Sequence, residues 1–187
     1  MRKLKDPTEL SGIFGESVSV RKVNGRIIIT NRPKRKRGKP TEKVLAQQRT
    51  FREATSYAKT AIANPEVHAL FATGRKGKHE SSYTVARRDF MNAPEVHSID
   101  ATGYHGMMDD LIIVNATDDF KVTRVKIVIT DVNGVITEEG DATDDSVTRF
   151  NQWKYKVVST NPSITGTKIT AVAYDRPGNQ GTAEISM

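Results

Sequence analysis

Two hydrophobic periodicities divide the chain. Around Asn24-Gly25 the apolar residues alternate, with Val18 and Val20 before the pair and Ile27 and Ile29 after it. Asn-Gly readily supplies the two positive φ angles of a type I′ turn, so residues 17–23 and 26–31 are expected to form a tight hairpin. A two-residue loop pairs Lys22 with Ile27 and Val20 with Ile29, which places Val18, Val20, Ile27 and Ile29 on one face. A lone hairpin is marginal in water, so this one has to pack on something. Residues 1–16, with Asp6-Pro7, Ser11-Gly12 and Gly15, read as an irregular lead-in.

The spacing then becomes helical. Pro40-Thr41-Glu42 predicts a helix start with Thr41 as N-cap, and Val44, Leu45, Phe51, Ala54, Ala58, Ala61 and Ile62 form an apolar stripe. Asn64-Pro65 ends this helix and starts another, with Asn64 as N-cap and Pro65 at the first position. Gly74 is the expected C-cap. A third helix starts at Ser81 or Ser82 and stops before Ala93-Pro94, because a residue preceding proline avoids helical geometry. Phe51 and Phe71 are expected in the helical core.

From residue 111 alternation returns. Residues 111–116, 122–130, 135–139, 152–159, 168–175 and 181–186 read as short strands separated by turn-rich spacers, among them residues 141–145. Six such strands without a helical insert predict an antiparallel sandwich or barrel, with Trp153, Tyr155 and Tyr174 in its core. Gly103 and Gly106 interrupt any pattern, so the boundary is placed at 106/107. The fold class is therefore α+β. Residues 1–106 form a basic hairpin and helical domain, and residues 107–187 form an antiparallel sandwich.

Charge sharpens the division. The formal net charge is +7, with Lys and Arg crowded into the first fifty residues and acids in excess after residue 100. Arg32, Lys34, Arg35, Lys36, Arg37 and Lys39 crowd into eight positions with no acid among them. Like charges so packed stay solvated and attract anions. Together with Arg49 they suit a nucleic-acid backbone, an acidic protein surface, or plain solvation. Few aromatic residues interleave the run, so base stacking is not expected.

The acids Asp109, Asp110, Asp118, Asp119, Asp131, Asp141, Asp144 and Asp145 invite a calcium reading, yet no segment carries a spaced ligand ladder. They read as solvated turn acids, and no metal or cofactor is expected. His68, His79, His97 and His105 show no ligand spacing. Segment 104–110 concentrates varied chemistry but reads as a connector, and no nucleophile or phosphate-cradling motif is present, so no enzyme is expected. Zero cysteines exclude a disulfide framework and thiolate chemistry. Nothing approaches the roughly 18 apolar residues of a membrane span, and the N-terminus lacks a secretory pattern, so a cytoplasmic setting is expected.

Two resemblances add to this. Thr170 to Asn179, with Ala173, Asp175, Gly178 and Asn179, resembles the late strand and hairpin of bacterial immunoglobulin-like modules, and Asp119 to Ile129 resembles their early strand. The resemblance implies an immunoglobulin-like sandwich and says little about function. Gly15, Val18, Val23 to Ile27, Arg32-Pro33, Gln48-Arg49, Phe51 and Ala54 resemble small uncharacterised basic proteins of Bacteroidota, from which no role carries over.

The leading expectation is a non-enzymatic assembly protein and homo-oligomer. In it the basic residues 32–39 dock on Asp118, Asp119, Asp144 and Asp145 of a neighbour, a head-to-tail contact that generates rings or filaments. The alternative is a sequence-nonspecific nucleic-acid binder that uses the same basic residues. No membrane or small-molecule partner is expected.

Overall fold

The computed structural model describes residues 12–14, 18–23, 25–31, 38–145 and 150–187. Its contacts divide the chain into two units, Met1–Leu45 and Ala46–Met187.

In the first unit, β2 (Val18–Val23) and β3 (Arg26–Asn31) pair antiparallel with Lys22 opposite Ile27 and Val20 opposite Ile29, the register the turn demands. Gly25 takes the positive φ of 78° that the hairpin needs; Asn24 lies outside the described residues. A third strand, β1 (Gly12–Phe14), pairs with β2 inside the expected irregular lead-in. Val20 is buried, whereas Ile27 and Ile29 are 51% and 68% exposed.

In the second unit the helices follow their punctuation. Helix α1 (Glu42–Ala63) begins after Thr41 and crosses the boundary between the units. Asn64 caps α2 (Pro65–Thr73) by accepting from the amides of Glu66 and Val67, at 2.9 and 3.3 Å. Ser81 caps α3 (Ser82–Met91) by accepting from the Thr84 amide. Ala58, Phe71, Val85 and Ala86 form the buried helical core. Phe51 stays 44% exposed, with the Arg87 guanidinium over its ring at 5.1 Å. Gly74 follows α2 as expected, but for a different reason. Its φ is −84°, outside the left-handed region, and a Cβ there would come within 2.5 Å of the Phe120 ring. Glycine at this position admits an aromatic ring rather than a left-handed turn.

The rest is an antiparallel sandwich of β4 (Glu95–Asp100), β5 (Leu111–Thr117), β6 (Arg124–Thr130), β7 (Ile136–Asp144), β8 (Gln152–Lys156), β9 (Lys168–Tyr174) and β10 (Gln180–Ser186). The strand order is β10-β9-β6-β7-β8-β5-β4. Most of β7 pairs with β6, and its end, Thr143 and Asp144, pairs with β8, so one strand serves both layers. Alternate residues fill the interior: Ile112, Val114 and Ala116, then Val125, Ile127 and Ile129, then Ile169, Ala171 and Ala173, with Trp153 and Tyr155. Tyr174 is not among them. It faces outward beneath the Arg124 guanidinium, 4.8 Å from the ring centroid.

The largest departures from expectation are in two strands. Strand β4 lies upstream of the 104–110 connector, in a stretch where the sequence predicts no element, and β7 runs through residues 141–144, read as a turn. The two edge strands meet where a Cβ on Gly181 would lie 1.8 Å from the Pro94 carbonyl oxygen. Backbone cannot yield there as a side chain can. Gly181→Ala is expected to lower stability by about 3 kcal/mol, read from the urea midpoint of Trp153 fluorescence.

Candidate functional site

The carboxyl group most at odds with its surroundings is on α3. Its inward stripe reads Ser82, Val85, Ala86 and Asp89, each buried, so helical spacing carries an acid into the interior beside the sandwich. Asp89 is 0% exposed, and neither of its carboxylate oxygens has a hydrogen-bond partner among the described residues.

Two loops bring further carboxylates to it. Asp118 follows β5, where its Oδ2 accepts from the amides of Phe120 and Lys121 at 3.2 and 3.1 Å; its Oδ1 has no partner. Asp175 follows β9, where its Oδ1 accepts from the amides of Gly178 and Asn179 at 2.8 and 2.6 Å. The Asn179 side-chain amide donates to Asp175 Oδ2 at 2.6 Å and also to the α3 carbonyls of Asp89 and Phe90. One oxygen from each of Asp89, Asp118 and Asp175 lies within 4.8 Å of the others.

The electrostatics follow from that convergence. Burial, then the Asp118 charge and a hydrogen bond that a protonated Asp89 would share with Asp118, then the Asp175 charge, push the Asp89 carboxyl up to about 8, with Arg176 opposing. Burial also raises Asp175, against the hydrogen bonds from Asn179 and Gly178. Tyr57 is pushed up to about 12 by burial and then by Asp89. The cluster therefore concentrates negative charge in a poorly solvated place, with oxygen ligands only. Asp118 also lines a cleft of about 430 Å³ with Asp144 and Trp153, and a second of about 270 Å³ with Asn92 and Glu95.

The acids expected to form one docking surface have separate commitments. Asp118 turns toward Asp89. Asp119 pairs with Lys76 at 3.6 Å and Arg88 at 3.9 Å, and accepts from the Asn92 amide. Asp145 pairs with Lys154 at 2.7 Å, and Asp144 lies opposite Trp153 in the sheet. The reading as turn acids fits Asp110, which accepts from the amides of His105 and Met107, and Asp131, which accepts from those of Asn133 and Val135. It describes only half of Asp118, whose Oδ2 caps a turn while the carboxylate also joins Asp89 and Asp175. On the basic side, Lys39 and Arg49 are exposed, whereas Arg32, Lys34, Arg35, Lys36 and Arg37 lie outside the described residues.

Sequence reasoning passed over Asp89 and used Asp175 only as part of a hairpin. The available signal was local: an acid at a core position of the α3 stripe.

No family model matches the chain, and no curated protein matches it significantly. Among solved structures, CopC from Methylosinus trichosporium OB3b is similar at 11% identity and a TM-score of 0.36, over 49% of this chain and 87% of that one. The tetra-tandem repeat in the extending region of a large adhesion protein is similar at 24% identity and a TM-score of 0.32, over 49% of this chain and 22% of that one. A conjugative transposon lipoprotein from Bacteroides eggerthii DSM 20697 aligns at 12% identity and a TM-score of 0.27, over 49% of this chain and 92% of that one. At such scores these likenesses carry no functional weight. Among the described residues, no helix is long and apolar enough to cross a membrane.

Proposed function

We propose that this chain is a non-enzymatic assembly protein of the cytoplasm, in which an immunoglobulin-like sandwich serves as scaffold and the N-terminal sheet associates with a second copy of the chain. The observation that supports this most is the exposure of Ile27 and Ile29 on the hairpin. A small sheet gains its stability by covering its apolar face, and a second copy can supply that cover. Cations crowd near the N-terminus and acids are in excess after residue 100, so charge favours the N-terminal region of one copy meeting the sandwich of the next. Asp119 and Asp145 are half-buried and already paired, so a docking neighbour has to displace Lys76 and Lys154 from them.

Light scattering on nuclease-treated protein, between about 50 and 500 mM salt, tests the reading. Particles larger than a monomer are expected, and Ile27→Ser with Ile29→Ser should return them to monomer without changing the Trp153 unfolding midpoint. A wild-type monomer at every salt concentration defeats the proposal. A second reading, binding of a nucleic-acid backbone, is favoured by Lys43, Arg49, Arg52 and Lys59, all exposed along α1. It predicts that size changes only when a random-sequence duplex is added, with affinity falling steeply as salt rises.

A further inference from the structure

We propose that Asp89, Asp118 and Asp175 form a divalent-cation site, best suited to calcium, that ties α3 to the loops after β5 and β9. Three carboxylate oxygens within 4.8 Å of one another match donors arranged around one ion at roughly 2.3–2.6 Å. The independent observation is Asp89 itself: a side chain with no exposure, without a donor to either oxygen among the described residues, directed at two other carboxylates. Asp118 Oδ1 likewise has no donor among the described residues. Buried acids in native proteins are hydrogen-bonded, paired with a cation or bound to metal. Both oxygens of Asp175 and Oδ2 of Asp118 already accept hydrogen bonds, so the oxygens without a donor among the described residues are the two of Asp89 and Oδ1 of Asp118.

The donor chemistry narrows the ion. Oxygen donors alone select calcium, magnesium or manganese over zinc or copper. Magnesium demands near-regular octahedral geometry, whereas calcium accepts irregular sites completed by water. The three ligands come from a helix and two unrelated loops, two of them pinned by backbone amides, an arrangement that cannot adjust to a strict octahedron. Asp118 lines both clefts, which gives the cluster one side next to open space. The opposing occupant is a proton on Asp89, which would relieve the same repulsion without any metal.

The test uses full-length protein stripped with EGTA and titrated with calcium chloride by isothermal calorimetry and thermal melting. One calcium should bind per chain, and a roughly hundredfold excess over Kd should raise Tm by about 5–10 °C. Asp89→Asn and Asp118→Asn should each abolish the shift, and Asp119→Asn should retain it. Should Asp89→Asn fail to fold, Asp118→Asn decides. Absence of calcium binding overturns the site and leaves the proton as occupant. A calcium shift that survives both substitutions also overturns it, and an equal shift with magnesium overturns the choice of ion. None of these outcomes depends on whether the chain self-associates.

Discussion

Phe71→Ala is expected to lower the stability of the second unit by about 4 kcal/mol. Phe71 has no exposure, and its ring lies 4.8 Å from that of Phe120, between Val85 and the small residues of α1. The neighbours that could close the hole are poorly placed to do so. Ala58 and Ala86 have no length to extend, and the Gly74 backbone already stands against the Phe120 ring. The cavity therefore remains, and the lost burial and the unfilled space add. Urea unfolding measures the effect, followed by Trp153 fluorescence and far-ultraviolet circular dichroism together. The same change at Phe51, which is half exposed, should cost less than half as much. Equal losses at the two positions would show that the helical core is not where the structure places it.

Glu138→Ala should cost about 3 kcal/mol, and Glu138→Gln roughly half of that. Glu138 is 8% exposed on β7 and accepts from the Tyr155 hydroxyl at 2.7 Å, the Val158 amide at 2.8 Å, and the Ser159 amide and hydroxyl at 3.1 and 2.5 Å. Alanine leaves these donors facing a void. Gly140 belongs to the same arrangement, since a Cβ there would meet the Tyr155 ring at 2.8 Å. Burial pushes the Glu138 carboxyl up, but the hydrogen bonds from Ser159, Tyr155 and Val158 outweigh it and hold the group below its ordinary 4.5. The folded state thus binds this proton less readily than the unfolded chain. The stabilisation is present above the ordinary value and is lost as pH falls through the lower folded one. The gap between wild type and Glu138→Gln should accordingly shrink on acidification and stay constant from neutral pH upward. A gap that widens in acid would contradict the hydrogen-bonded carboxylate.

What the sequence disclosed depended on whether local chemistry determined the outcome. The hairpin register follows from one turn, and the α2 cap from Asn64-Pro65, so both were legible. Strand β4 was hidden because its pairing shifts between Val96 and Ser98, which breaks the two-residue period and leaves Val96 and Ile99 three apart. Strand β7 was shortened because Asp141 and Asp144 look like turn residues, although Asp141 instead pairs with Arg124 across the sheet. Asp118 read as one of a pair of turn acids, and half of that is right: one oxygen caps the turn, the other faces Asp89. No spacing rule unites Asp89, Asp118 and Asp175, because tertiary packing alone brings a helix and two loops together. For the same reason the core was legible where alternation determines it, as at Val125, Ile127 and Ile129, and not at Tyr174, where an outward arginine holds the ring.

The Asn179 side chain donates at once to Asp175 in the last hairpin and to the carbonyls of Asp89 and Phe90 at the end of α3. A helix so short would ordinarily fray on its own, exchanging its amide hydrogens long before a β-sheet opens. Fastened by one amide group to the hairpin of β9 and β10, α3 instead can open only when that hairpin releases it. In hydrogen–deuterium exchange the amides of residues 86–91 should therefore become labelled together with those of β9, and Asn179→Ala should uncouple the two, letting the helix exchange early while the strands stay protected.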